Sequence, residues 1–154
     1  MPVARVPSEM VAVDSVPILY RNVVVPSASP SPFPAGAAVG VLYVASIGGG
    51  SVGSSQEFIL CGALPGDHPE LFVGFLASTL APGESGMVIT VRGSKVVPIL
   101  EDHSLGAVLT PGDDVYLSTV PGQVTQTPPG PGARRLGYAV SDQEMILVPD
   151  SLSP

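Results

Sequence analysis

Residues 109–130 read LTPGDDVYLSTVPGQVTQTPPG. Two short valine- and threonine-rich runs, VYLST and QVTQT, stand between Pro-Gly pairs. β-Branched and aromatic residues suit strands. Proline presets φ at the second position of a turn and glycine supplies positive φ at the third, so each Pro-Gly pair predicts a type II turn. The stretch therefore predicts short strands joined by tight turns, and it contains no constellation that suggests chemistry.

The same grammar extends outward. Pro-Gly recurs at 65–66, 82–83, 111–112, 121–122, 129–130 and 131–132. Between these pairs lie the strand-sized runs FILCGAL (58–64), LFVGFLAS (71–78), MVITVRG (87–93), KVVPIL (95–100), GAVL (106–109), RLGYAV (135–140) and EMILV (144–148). Turns at that spacing predict an all-β sandwich or barrel-like domain of short antiparallel strands. The segment 67–79, DHPELFVGFLAST, also has helix-start features in Asp67 and Pro69. Its phenylalanine and valine content and Gly74 favour a strand.

Two echoes run through the chain. LAPGESGMVITV (80–91) is matched by LTPGDDVYLSTV (109–120), and VGFLAS (73–78) by LGYAVS (136–141). They predict two similar hairpin-like halves within one domain.

Upstream, residues 1–25 suggest a strand pair around 10–13 and 18–25. Prolines at 26, 30, 32 and 34 make the next segment extended and unable to lie in the centre of a sheet. Residues 35–47 form a strand of small residues, and residues 48–56 a flexible Gly/Ser loop. This divides the chain into residues 1–56, comprising N-terminal strands, a proline-rich extended N-terminal arm and the Gly/Ser loop, and a β domain of residues 57–154. Phe33 between Pro32 and Pro34 is the candidate anchor of the arm, and Pro26, Pro30, Pro32, Phe33 and Pro34 are the candidate interface residues.

Composition narrows the function. Hydrophobic residues make up 45% of the 154 and charged residues 12%, with 18 prolines and 18 glycines. The charged share is half the ~25% usual for soluble domains, which predicts apolar surface hidden against a neighbour. Net charge is −7, with only Arg5, Arg21, Arg92, Lys95, Arg134 and Arg135 basic. Nucleic-acid binding needs several neutralised phosphates, so no nucleic-acid partner is expected. The start, MPVARVPSEMVAVDSVP, has no apolar run behind a basic beginning and does not read as a secretory signal. The best apolar run, residues 35–47, is too short and glycine-rich to span a bilayer, so no membrane role is expected.

Candidate chemical motifs are weak. Gly48, Gly50 and Gly53 fit G-x-G-x-x-G, with Asp67 downstream, but a dinucleotide site needs a helix directly after the glycines. Ser51 is centred in G-x-S-x-G, and Asp67 or Asp102 with His68 or His103 supplies the order of a serine hydrolase. That reading also needs a helix after the serine. Glu101, Asp102 and His103 are adjacent, and adjacent strand residues face opposite sides, so they read as a turn and not as a metal site. Cys61, the single cysteine, reads as a small buried apolar residue. No catalytic, cofactor-binding or metal-ligating residues are assigned.

The acidic glycine turn at 112–114, then VYLS (115–118), a glycine turn, VTQTP (124–128) and the basic pair before LGYAVS (136–141) together resemble the tail half of small bacteriophage capsid cement proteins, also called head decoration proteins. GFLASTLAPGESGMVITVRG (74–93) resembles the segment that precedes it there, and the likeness covers residues 71–148. The resemblance implies a non-catalytic structural protein, made in the host cytoplasm, that binds the outer capsid surface of the virion. Its partners would be the major capsid protein, whose subunits it bridges, and itself as a homotrimer. Similar patterns occur in tail and fibre modules, which is the alternative. A small hydrolase using Ser51 is the third reading. On the arm reading, removing residues 1–34 should leave the β domain folded but loosen it from heads.

Overall fold

A computed structural model describes residues 17–48, 51–131 and 133–149. The chain is all-β, with eleven strands among the described residues arranged in two sheets. They are β1 (Pro17–Tyr20), β2 (Val23–Val24), β3 (Ala38–Gly48), β4 (Ser51–Leu60), β5 (Phe72–Leu76), β6 (Gly86–Ile89), β7 (Lys95–Val96), β8 (Asp114–Leu117), β9 (Val124–Thr125), β10 (Arg135–Ala139) and β11 (Met145–Leu147). The first sheet has the order β1-β6-β5-β3-β4-β2 and the second β7-β11-β10-β8-β9. Only β2 runs parallel to its neighbour, β4; every other pair is antiparallel.

Strand alternation gives the first sheet two apolar faces. Successive side chains on a strand point to opposite sides. Ala38 and Phe75 join Val115, Leu117, Leu136, Met145 and Leu147 of the second sheet in one core. The very next residues, Val39 and Leu76, join Phe58, Leu80 and Val88 in a second core on the other face.

Something must cover that second face, and the N-terminal segment does so. Val23, Val25 and Phe33 are buried in it. Phe33 and Leu80 exchange both backbone hydrogen bonds at 2.9 Å, Val25 donates to the Glu84 carbonyl, and Gly83 donates back to Val25. Residues 17–34 therefore form part of the wall of this chain, and the segment expected as a proline-rich extended N-terminal arm lies against its own sheet. The physical reason is the alternation in β3 and β5: their second apolar face would otherwise meet water. The expected boundary between residues 56 and 57 falls inside β4. The expected strand at 10–13 lies outside the described residues.

Other local expectations were corrected as well. Residues 51–56 are part of β4, paired residue by residue with β3, and not a loop. GAVL (106–109) forms no strand and follows a 3-10 turn at His103–Leu105. The strand expected within residues 67–79 is present as β5, preceded by 3-10 turns at Pro65–Asp67 and Pro69–Leu71. The N-cap positions of these turns are Leu64 and His68 and not Asp67, and neither makes a side-chain capping bond.

The turn expectation held at three pairs. Gly83, Gly112 and Gly122 have φ of 87°, 92° and 85°. Each turn is closed by a backbone bond: Glu84 to Ala81, Asp113 to Thr110 and Gln123 to Val120. Pro65-Gly66 instead opens a 3-10 turn.

The echoes acquire a structural meaning. One member of each pair lies in each sheet: β5 pairs with β6 in the first, β10 with β8 in the second. Gly74 and Gly137 occupy matching places in the echo. Register shifts at Gly74 against β3 and at Gly137 against β8 mark a bulge beside each. A lone glycine within a strand pattern is a common sign of such a bulge.

Candidate assembly surface

The longest strands are the least supported. β3 pairs with β5 only through Ala38–Gly40, and β4 pairs with β2 only at Gln56 and Glu57. The β3–β4 ladder, however, runs from Val39 with Leu60 out to Gly48 with Ser51. Residues 44–48 and 51–55 therefore leave the sheet as a two-stranded ribbon. Among the described residues no other strand pairs with them. At about 3.3 Å per residue the ribbon projects on the order of 17 Å.

Backbone direction along the ribbon follows from the antiparallel ladder. Cys61 donates across the hairpin to the Ala38 carbonyl, so even-numbered residues of β3 aim their N–H and C=O groups at β4. Odd-numbered residues aim away: Val39 meets Gly74 of β5 and Val41 flanks the last pair, Gly40 with Phe72, while Tyr43, Ala45 and Ile47 lie beyond the end of that pairing. In β4 the groups of Gln56 face β2, so those of Val52 and Ser54 face outward too. The Tyr43 side chain is 70% exposed. No charged residue lies between Arg21 and Glu57.

The predicted interface residues sit elsewhere. Phe33 is 8% exposed and packs in the second core, so it holds the chain to itself. Pro30, Pro32 and Pro34 are exposed and Pro26 half-buried. Pro30, Pro32 and Pro34 border a shallow groove of about 350 Å³ together with Leu60, Ile99 and Pro121. Pro34 also edges a larger groove of about 560 Å³ with Val97, Pro98, Leu100 and Val108. The 3-10 turn after Leu100 leaves Leu105 82% exposed.

The candidate chemical groups are not brought together. Ser51 opens β4 opposite Gly48, so a strand follows it where a nucleophile elbow or a dinucleotide loop needs a helix. His68 contacts Glu70 at 3.3 Å. That contact, together with Glu70's own backbone hydrogen bond, which is the larger cause, lowers the carboxyl's pKa. His103 donates from Nδ1 to the Leu100 carbonyl at 2.9 Å. Glu101 accepts from the buried Ser118 hydroxyl, which in turn accepts the Val120 N–H. This fastens the 100–105 turn to the β8–β9 connection. Asp114 pairs with Arg135 at 2.9 Å across β8 and β10. No cluster of three metal-ligating side chains is present among the described residues, and no helix of the described residues is long and apolar enough to cross a membrane.

Cys61 is fully buried beside the backbone of Gly40. Burial pushes its thiol up to about 12, against a smaller lowering by Arg134. Native protein at pH 8 should therefore leave Cys61 unmodified by a thiol-specific reagent, and denatured protein should react fully. Rapid native labelling would contradict the burial. The unfolded thiol ionises near pH 8.5, so the unfolded chain holds fewer protons above that pH. Stability linked to Cys61 is thus complete below pH 8.5 and declines as pH rises towards 12.

The sequence matches no protein-family model, and no curated protein or solved structure matches it.

Proposed function

We propose that this chain is a non-catalytic structural protein of a phage virion that binds the outside of the capsid as a homo-oligomer and bridges capsid subunits. Its body would be a β-sandwich made of the two sheets. The observation that carries this reading is the β3–β4 ribbon: an uncharged, projecting pair of strands with open hydrogen-bonding edges on a body that is otherwise turn-dense and acidic. Open edges bind other strands through backbone groups and need no reactive side chain. The turn-and-strand likeness over residues 71–148 points to the cement type within that class. Many weak contacts repeated around a shell slow dissociation, which suits a small protein with modest contact area.

The test is location. Heads and tails separated from purified virions, analysed by mass spectrometry, should carry the protein on heads. Exclusive recovery with tails would replace this reading with a tail or fibre module. Absence from both would end it.

A further inference from the structure

We infer that the β3–β4 ribbon is where the chain joins copies of itself, the open edge of β3 in one copy pairing with the open edge of β4 in the next. The role rests on the assembly function proposed above, and the observations behind it are backbone ones. Among the described residues no strand pairs with the outward groups of β3 at Tyr43, Ala45 and Ile47 or of β4 at Val52 and Ser54, as the ladder direction requires.

The β3 edge, VLYVASIG at 41–48, is apolar, uncharged and free of proline. Such an edge pairs with whatever strand it meets unless it is covered. Natural edges are protected by lysine, proline or a bulge. None of these interrupts 41–48: both register shifts lie elsewhere, beside Gly74 and Gly137.

A second copy is the fitting occupant for two reasons. β3 and β4 already run antiparallel in one chain, so the β4 edge of a neighbour repeats for β3 the pairing the hairpin makes internally. The net charge of −7 sets copies against each other, but the stretch between Arg21 and Glu57 contributes nothing to that repulsion. Approach through the ribbon is therefore the least opposed electrostatically.

Pairing β3 to β4′ is head to tail, and such contacts either form a ring or propagate. Closure pairs every edge, whereas a twofold β3–β3′ contact leaves both β4 edges open. Small closed barrels use about five to eight strands. At two strands each, three or four ribbons supply enough strands and two do not.

Proline on the outward positions provides a clean test. Ala45→Pro removes an N–H that faces the open edge, leaving the internal hairpin ladder intact, and edge strands tolerate proline at such positions. Ser54→Pro does the same on the other edge. The full-length protein and both variants are measured by light scattering after gel filtration, with near-ultraviolet circular dichroism reporting the fold. The wild type should have three or four times the chain mass, and each folded variant the mass of one chain. A single-chain or two-chain wild type, or variants that keep the wild-type mass, would overturn the ring. Should one variant fail to fold, the other reads the same closure, because a ring is broken by blocking either edge. Head binding is assayed separately: a monomeric wild type that still decorates heads would overturn this inference and the homo-oligomer with it, and leave the capsid-binding role standing, whereas a ring that does not bind heads would overturn only that role.

Discussion

Gly137→Ala should lower stability by about 3 kcal/mol or more, at the upper end of overpacking penalties. A β-carbon at residue 137 would lie 1.9 Å from the Ile146 carbonyl oxygen and 2.9 Å from the Met145 methyl. The methyl can rotate away. The carbonyl belongs to β11, whose ladder pairs Gly137 with Leu147 and Tyr138 with Ile146. Moving it means moving Met145 and Leu147, both in the core to which the two sheets contribute. For a chain of this size 1 kcal/mol is worth roughly 2–4 °C in melting temperature, so a drop on the order of 10 °C is expected by calorimetry. Gly74→Ala should behave alike, since its β-carbon would meet the Ile89 carbonyl oxygen of β6 at 2.2 Å. Gly130→Ala, with nothing within 4 Å, is the control and should stay within about 0.5 kcal/mol. If Gly137→Ala melts with the control, the close approach of β10 to β11 is wrong.

Deleting residues 1–34 is expected to abolish stable folding. The deletion removes β1 and β2 and takes Val23, Val25 and Phe33 out of the second core. Each buried apolar side chain of this kind contributes about 1.5–3 kcal/mol. Three of them together weigh as much as the whole stability of a small domain, about 5–15 kcal/mol. The loss also bares Val39, Phe58, Leu76 and Val88 on the face they covered. The truncated chain should show no cooperative thermal transition, or bind a hydrophobic dye strongly in its absence. A truncated chain that melts cooperatively near the full-length temperature would show that this wall is dispensable. The expectation from sequence was the opposite, because prolines at 26, 30, 32 and 34 read as an arm reaching outward.

That reversal shows where reading the chain alone reached its limit. Proline excludes residues 26–34 from the centre of a sheet, and they are not in one. Proline does not say which surface an extended segment will lie on. Phe33, read from its position as the anchor of an arm on a neighbour, is buried in the second core of its own chain. For the ribbon, the low strand propensity of the Gly/Ser-rich stretch favoured a loop, while a long antiparallel partner in β3 made it a strand. A Gly-Gly pair between two apolar runs is a hairpin signal, and it stands in the sequence at 49–50. Positions 43, 45 and 47, which no strand pairs with among the described residues, had no such signal, since that depends on where β5 stops.

Local chemistry alone determined the all-β class, the turns at Gly83, Gly112 and Gly122 and the paired echoes, because φ preferences and strand propensity act within a few residues. Tertiary structure decided that the echoes fall in separate sheets, that residues 17–34 close a second core and that β3 and β4 outrun their neighbours. Each of these depends on which faces and edges remain uncovered once distant strands have paired, and burial and pairing between residues far apart in sequence leave no local mark.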